Sequence, residues 1–132
     1  MGSAYRIEPD KGRVVIRARD PDLADTTRVL QELAGDPAFK PEYDVRVDLE
    51  AIEVAPGRLA VEGLALCLIG MRERYPCRVA LVAPRTQTFG SFRRAALLAA
   101  AHDFPLDVFR TVERAEAWLG RADRTGADDG PL

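Results

Sequence analysis

Apolar and polar positions alternate at the start of the chain and then change period. Tyr5, Arg6, Ile7 and Glu8 alternate, Pro9, Asp10, Lys11 and Gly12 supply turn chemistry, and residues 13–19 alternate again through Val14, Ile16 and Ala18. This pattern predicts two strands joined as a hairpin. Asp20, Pro21 and Asp22 then read as a helix start, followed by Leu23, Thr27, Leu30 and Ala34 at helical spacing, with Gly35, Asp36 and Pro37 as the stop. Residues 43–49 return to a period of two: Val45, Val47 and Leu49 oppose Asp44, Arg46 and Asp48.

A loop over residues 50–57 leads to a long helix predicted for residues 58–75, with Val61, Leu64, Ala65, Leu68, Met71 and Tyr75 as its stripe and Pro76 as its end. Residues 77–83 are apolar on both faces apart from Arg78, which marks a central strand. Residues 84–88 form a loop with Thr88 as helix cap, and residues 89–102 an Ala-rich helix. A fifth strand follows at residues 106–110, Thr111 caps a last helix over residues 112–119, and residues 121–132 have no apolar period and read as a disordered tail.

The order β-β-α-β-α-β-α-β-α defines an α/β fold: one domain over residues 1–120, with a mostly parallel five-stranded sheet and an antiparallel first strand. Strands with one wholly polar face, such as residues 43–49, place the helices mainly on one side of that sheet and leave much of the other open.

Composition narrows the function classes. The 132 residues carry 47% hydrophobic side chains and a net charge of −2, with Lys11 and Lys40 the only lysines. A balance this close to neutral gives no electrostatic case for nucleic acid. No apolar run approaches the ~20 residues that span a bilayer, so no integral membrane segment is expected. The N-terminus carries no signal-like segment. Cys67 and Cys77, without a second pair or a nearby His, make no zinc site and read as thiols of a cytoplasmic protein. Abundant Arg, Ala and Gly match a GC-rich bacterial coding bias.

Several phrases, in order, resemble a known superfamily. They are Tyr5-Arg6-Ile7-Glu8, Asp36-Pro37-Ala38-Phe39, Val47-Asp48-Leu49, Arg78-Val79-Ala80-Leu81-Val82-Ala83, Phe89-Gly90 with Arg93 and Arg94, and Val108-Phe109-Arg110 followed by Glu116-Ala117-Trp118-Leu119. Across residues 4–120 the chain resembles STAS-like domains, the fold of bacterial anti-sigma-factor antagonists, in the uncharacterised branch described as STAS-like or CRAL-TRIO-like. The resemblance implies a right-handed superhelical winding and a role in protein–protein regulation or small-ligand sensing. One departure is plain. Anti-sigma-factor antagonists carry a phosphorylatable Ser where the helix after the third strand begins; here residues 50–58 hold no Ser or Thr, and none occurs from residue 28 to residue 85. A phosphate switch at that helix start needs a hydroxyl.

No residues converge on catalysis, and neither a metal nor a cofactor is expected. His102, the single histidine, falls near a helix end beside Asp103, where the dipole and solvent account for it. Asp48, Glu50 and Glu53 form a carboxylate cluster at the strand edge, with solvated loop charges as the plainer account. Arg85, Thr86, Thr88 and Arg93, with Arg94, are candidates for holding an anion at a helix N-terminus; a cap and surface charges explain the same residues. Leu66, Cys67 and Ile69 extend the apolar surface of the long helix almost all round and are interface candidates, with core packing the alternative. Arg13, Arg17, Arg19, Arg46 and Asp48 lie on the open sheet face, and Trp118 anchors the last helix. Two readings remain: a non-catalytic regulatory or protein-interaction module, self-associating as a homo-oligomer, or a carrier holding a small apolar ligand where Ala95, Ala96, Ala99 and Ala100 leave space between two helices.

Overall fold

The computed structural model describes residues 4–72 and 77–123. They form one α/β domain: β1 (Ala4–Glu8), β2 (Arg13–Arg17), α1 (Ala24–Ala34), β3 (Asp44–Asp48), α2 (Arg58–Met71), β4 (Val79–Val82), α3 (Thr86–Ala101), β5 (Leu106–Phe109) and α4 (Val112–Asp123). The sheet runs β1-β2-β3-β4-β5, with β1 antiparallel to β2 and every other pair parallel. The predicted fold class and element order hold.

Local chemistry explains the turns. The hairpin loop is a 3-10 turn at Pro9–Lys11 closed by Gly12 at φ +59, a left-handed conformation that glycine adopts without a Cβ clash. Helix α1 starts two residues after Asp22, with Leu23 itself left-handed at φ +62. The left-handed region costs a residue with a Cβ about 1–2 kcal/mol. Leu23 is buried, and the two aspartates that precede it hold the turn. Asp20 accepts the Asp25 N–H at 2.7 Å and the Thr26 hydroxyl at 2.8 Å, while Asp22 accepts the Ala24 N–H at 3.0 Å. The residues read as a cap do cap, from slightly further out.

Because each parallel strand adds to the same edge of the sheet, crossovers of one hand put α1, α2 and α3 on the same side. Val14, Ile16, Val45, Val47, Val79 and Leu81 face them and share one core with Leu30, Leu64, Leu68 and Phe92. Helix α4 follows the last strand and covers the opposite side, where Ala80 and Val82 meet Ala115 and Leu119 in a second, smaller core. Three helices on one face and one on the other is the expected bias. The second face is nevertheless less open than its alternation suggested.

Several boundaries shift. Strands β2 and β3 end at Arg17 and Asp48, not at residues 19 and 49. Helix α2 is described to Met71; Tyr75 and Pro76, expected in its stripe and at its end, lie outside the described residues. Helix α3 begins at Thr86 with Arg85 as its N-cap, so Thr88 sits inside the first turn with its side chain buried and is not the cap. Thr111 does cap α4, accepting the Arg114 N–H at 3.1 Å. Helix α4 continues to Asp123, so residues 121–123 of the expected tail are helical; the rest of it lies outside the described residues.

Candidate functional site

The parallel strands end together at Arg17, Asp48, Val82 and Phe109, the sheet edge where α/β proteins hold ligands. A cleft of about 320 Å³ lies there, lined by Arg17, Arg19, Asp48, Glu50, Ala51, Glu53 and Arg85. The three carboxylates expected to cluster are thus brought together, but among three arginines. Asp48 accepts two hydrogen bonds from Arg46, at 2.9 and 3.0 Å, so its charge is already matched by a guanidinium. Among the described residues no three His, Cys, Asp or Glu side chains gather to hold a metal ion.

The four anion-site candidates do not converge. Arg85 lines this cleft. Thr86 instead accepts a 3.3 Å hydrogen bond from Arg110, whose guanidinium also lies 4.8 Å from the centre of the Phe89 ring. Thr88 is buried. Arg93 lies two turns into α3, lining a separate groove with Ala96, Leu97 and Leu106. Arg94 is an exposed neighbour on the same helix. His102 is exposed at the C-cap of α3, where its carbonyl accepts a hydrogen bond from Arg72 at 2.5 Å.

On the other sheet face, the charges expected to be solvated form a network under α4. The Arg13 side chain is 5% exposed, and its guanidinium donates to Glu116 at 2.9, 3.1 and 3.2 Å. Arg46 donates to the same carboxylate at 2.7 Å, and Asp44 lies 3.8 Å from Arg13. Burial pushes the Glu116 carboxyl up, but the hydrogen bonds and positive charges of Arg13 and Arg46 outweigh it and hold the group below the ordinary carboxylate value. Trp118 packs on Phe109, ring centres 5.4 Å apart, with Arg78 5.5 Å from its ring centre. Sequence reasoning missed Glu116. Its position directly after the inward-facing Ala115 was the available signal.

Helix α2 is the most apolar of the four helices. Val61, Leu64, Ala65 and Leu68 are buried against the sheet. The interface candidates divide: Leu66 points outward at 53% exposure, whereas Cys67 and Ile69 are partly buried against the core. Three outward residues were not foreseen. Leu59 is 83% exposed, and Gly63 and Gly70 are exposed with open space where a Cβ would sit. Their 4-3-4 spacing with Leu66 was the signal available in the sequence. On α3, Leu97 adds a further exposed side chain at 67%. A groove of about 640 Å³ between α1 and α2 is lined by Thr27, Gln31, Ala34, Gly63, Leu66, Cys67, Gly70 and Met71. The only charges on α2 are Arg58 and Glu62, which pair with each other at 2.9 Å.

The small residues of α3 serve packing: Ala95 and Ala99 are buried in the main core, Ala96 is half-buried and Ala100 exposed. Both cysteines are free thiols, Cys67 half-buried and Cys77 buried. No helix among the described residues is long and apolar enough to cross a membrane. Comparison with known proteins places the chain beside none of them: no protein-family model, no curated protein and no solved structure matches it.

Proposed function

We propose that this domain is a non-catalytic regulatory or protein-interaction module of the STAS-like type, acting through the outer surface of its helical layer. The observation that carries the reading is the exposure of Leu59 and Leu66 on a helix whose only two charges, Arg58 and Glu62, are paired with each other. Scattered single leucines on a surface are ordinary, but aligned ones on a charge-poor helix mark a contact site. The β-β-α-β-α-β-α-β-α order supports the STAS-like assignment. Residues 50–58, leading into α2, offer no Ser or Thr, so the module works by a route other than phosphorylation at that turn. A bacterial, cytoplasmic setting belongs to the same proposal.

The alternative is a carrier of a small apolar ligand, for which the open α1–α2 groove is the favouring feature. The burial of Ala95 and Ala99 weighs against a ligand space between α2 and α3, since both fill the core rather than line a cavity. Replacing Leu66 with a photo-crosslinking amino acid in cells separates the two readings. Protein adducts formed from position 66, and not from a control at Arg114 on α4, support the module. A stoichiometric small molecule recovered by native mass spectrometry, with no protein adduct, overturns it in favour of the carrier.

A further inference from the structure

The outward stripe of α2 consists of Leu59, Gly63, Leu66 and Gly70, all exposed. Steps of four, three and four residues keep these positions within about 60° of one another around the helix axis. The stripe therefore alternates large, absent, large, absent. Both glycines leave open space where a side chain would be. A point midway between Gly63 and Leu66 is also midway between Leu59 and Gly70, and it bisects the helix Arg58–Met71. A two-fold axis through that point lays a second α2 antiparallel on the first. Each Leu66 then enters the space over the partner's Gly63, and each Leu59 the space over the partner's Gly70. A parallel pairing would set leucine on leucine and glycine on glycine, with neither clash nor gap relieved.

We infer that this face is a self-association surface, occupied by a second copy of the chain with the two α2 helices antiparallel about a two-fold axis. The inference rests on the interaction-module reading and names its partner. An isologous contact needs one patch complementary to itself, and the alternation of Leu59, Gly63, Leu66 and Gly70 meets that requirement. Nothing in a contact with an unrelated protein would require the pattern to be symmetric about its own centre. Along the α2 seam itself charge does not oppose it, because Arg58 is already paired with Glu62 at one end. At the flank, Arg28 of α1 is ion-paired with Asp25 and Glu32, which supplies the polar rim of such a contact. Three helices about 10 Å apart and about 20 Å long offer roughly 600 Å² in projection, close to the ~800 Å² per partner of a standard interface once surface relief is counted.

Sedimentation of the full chain tests the inference. A dimer is expected, and Leu66→Glu should weaken it about thirtyfold or more, as for a central interface residue, while circular dichroism stays native because position 66 is outside the core. Orientation is read by disulfide trapping in a Cys67→Ala, Cys77→Ala background. A mixture of Leu59→Cys and Gly70→Cys chains should cross-link far faster than either variant alone, since the two copies of position 59 lie about 16 Å apart along antiparallel helices. Should that background fail to fold, the Leu66→Glu sedimentation result decides alone. A chain that stays monomeric up to roughly 1 mM overturns the inference. So does a dimer indifferent to Leu66→Glu, or rapid self-trapping of Leu59→Cys. A monomer whose position 66 cross-links to a different protein sinks the self-association and leaves the module standing; a monomer with no adduct sinks both.

Discussion

Removing the charge of Glu116 tests whether the polar network or the apolar contact of Ala115 and Leu119 holds α4 to the sheet. In Glu116→Gln the side chain keeps its shape, but Arg13 loses its nearest anion while remaining 5% exposed. At about 4 Å between charge centres, an effective dielectric near 20 gives roughly 4 kcal/mol of gross attraction. Glu116 is 32% exposed, so solvent screens part of this, and the Gln oxygen still accepts a hydrogen bond. A net loss of about 2 kcal/mol follows, below the ~3–5 kcal/mol seen when a fully buried pair is broken. Arg13→Met keeps the apolar stem and removes the stranded cation, so its cost should be smaller, about 1–2 kcal/mol. The double variant should cost at least about 1 kcal/mol less than the two single costs combined, because the groups touch.

Urea unfolding midpoints of the four proteins give the cycle directly. Costs that add to within about 0.5 kcal/mol would refute the reasoning and leave α4 held by apolar contact alone. The acid limb gives an independent reading. Glu116 is held below its ordinary value near 4.5, so its contribution is whole above that pH and is lost as pH falls through the lower folded value. Glu116→Gln should therefore flatten the loss of stability below about pH 4.5, with little change in slope above it.

Three further outcomes follow from particular contacts. The Tyr5 hydroxyl donates to Asp36 at 2.5 Å, and this hydrogen bond, then burial and the charges of Asp36 and Glu32, push its pKa up to about 12. Ultraviolet titration should show a late-titrating tyrosine signal that Tyr5→Phe removes; the bond's contribution is whole below pH 10 and fades as pH rises toward 12. Burial, then the charge of Asp44, pushes the Cys77 thiol up to about 12, so in the native protein a thiol reagent should modify Cys67 alone, and both of the chain's cysteines only after unfolding. Gly63→Ala at dilutions that leave the chain monomeric should raise stability by about 1 kcal/mol, since a helix interior gains a methyl into open space. A loss of stability there would mean that the space is already filled.

The alternation of Val45, Val47 and Leu49 against Asp44, Arg46 and Asp48 made β3 legible, as the unbroken apolar run at residues 79–82 made β4. What the pattern could not supply was partnership at long range. Arg13 and Glu116 are 103 residues apart, and only the packing of α4 across β3 and β4 brings them together. Alternation was therefore read as exposure where it marks an ion-paired layer. Thr88 misled for the opposite reason: a hydroxyl at a helix start imitates a cap, and the fold buried it one turn too late to serve as one. At α2 the sequence singled out Leu66, Cys67 and Ile69 as a block, but a helix divides neighbours by 100° each, so only Leu66 of the three faces outward.

The strength of contact that α2 can supply is bounded by its side chains. Two copies would bury four leucines, and with Leu59 four-fifths exposed and Leu66 about half exposed, the gross gain is about 4–8 kcal/mol. Association itself costs about 4–15 kcal/mol before any contact is made. The seam alone thus sits near balance, and a measurable dimer needs the flanks as well, Leu97 on α3 and the edges of the α1–α2 groove. The same numbers oppose a permanent assembly. Each chain already closes its own core through Leu30, Leu64, Leu68 and Phe92, so the folded monomer survives separation. A surface that gains little more than association costs forms and parts with concentration, and such a contact can be displaced by any partner offering one additional buried anchor.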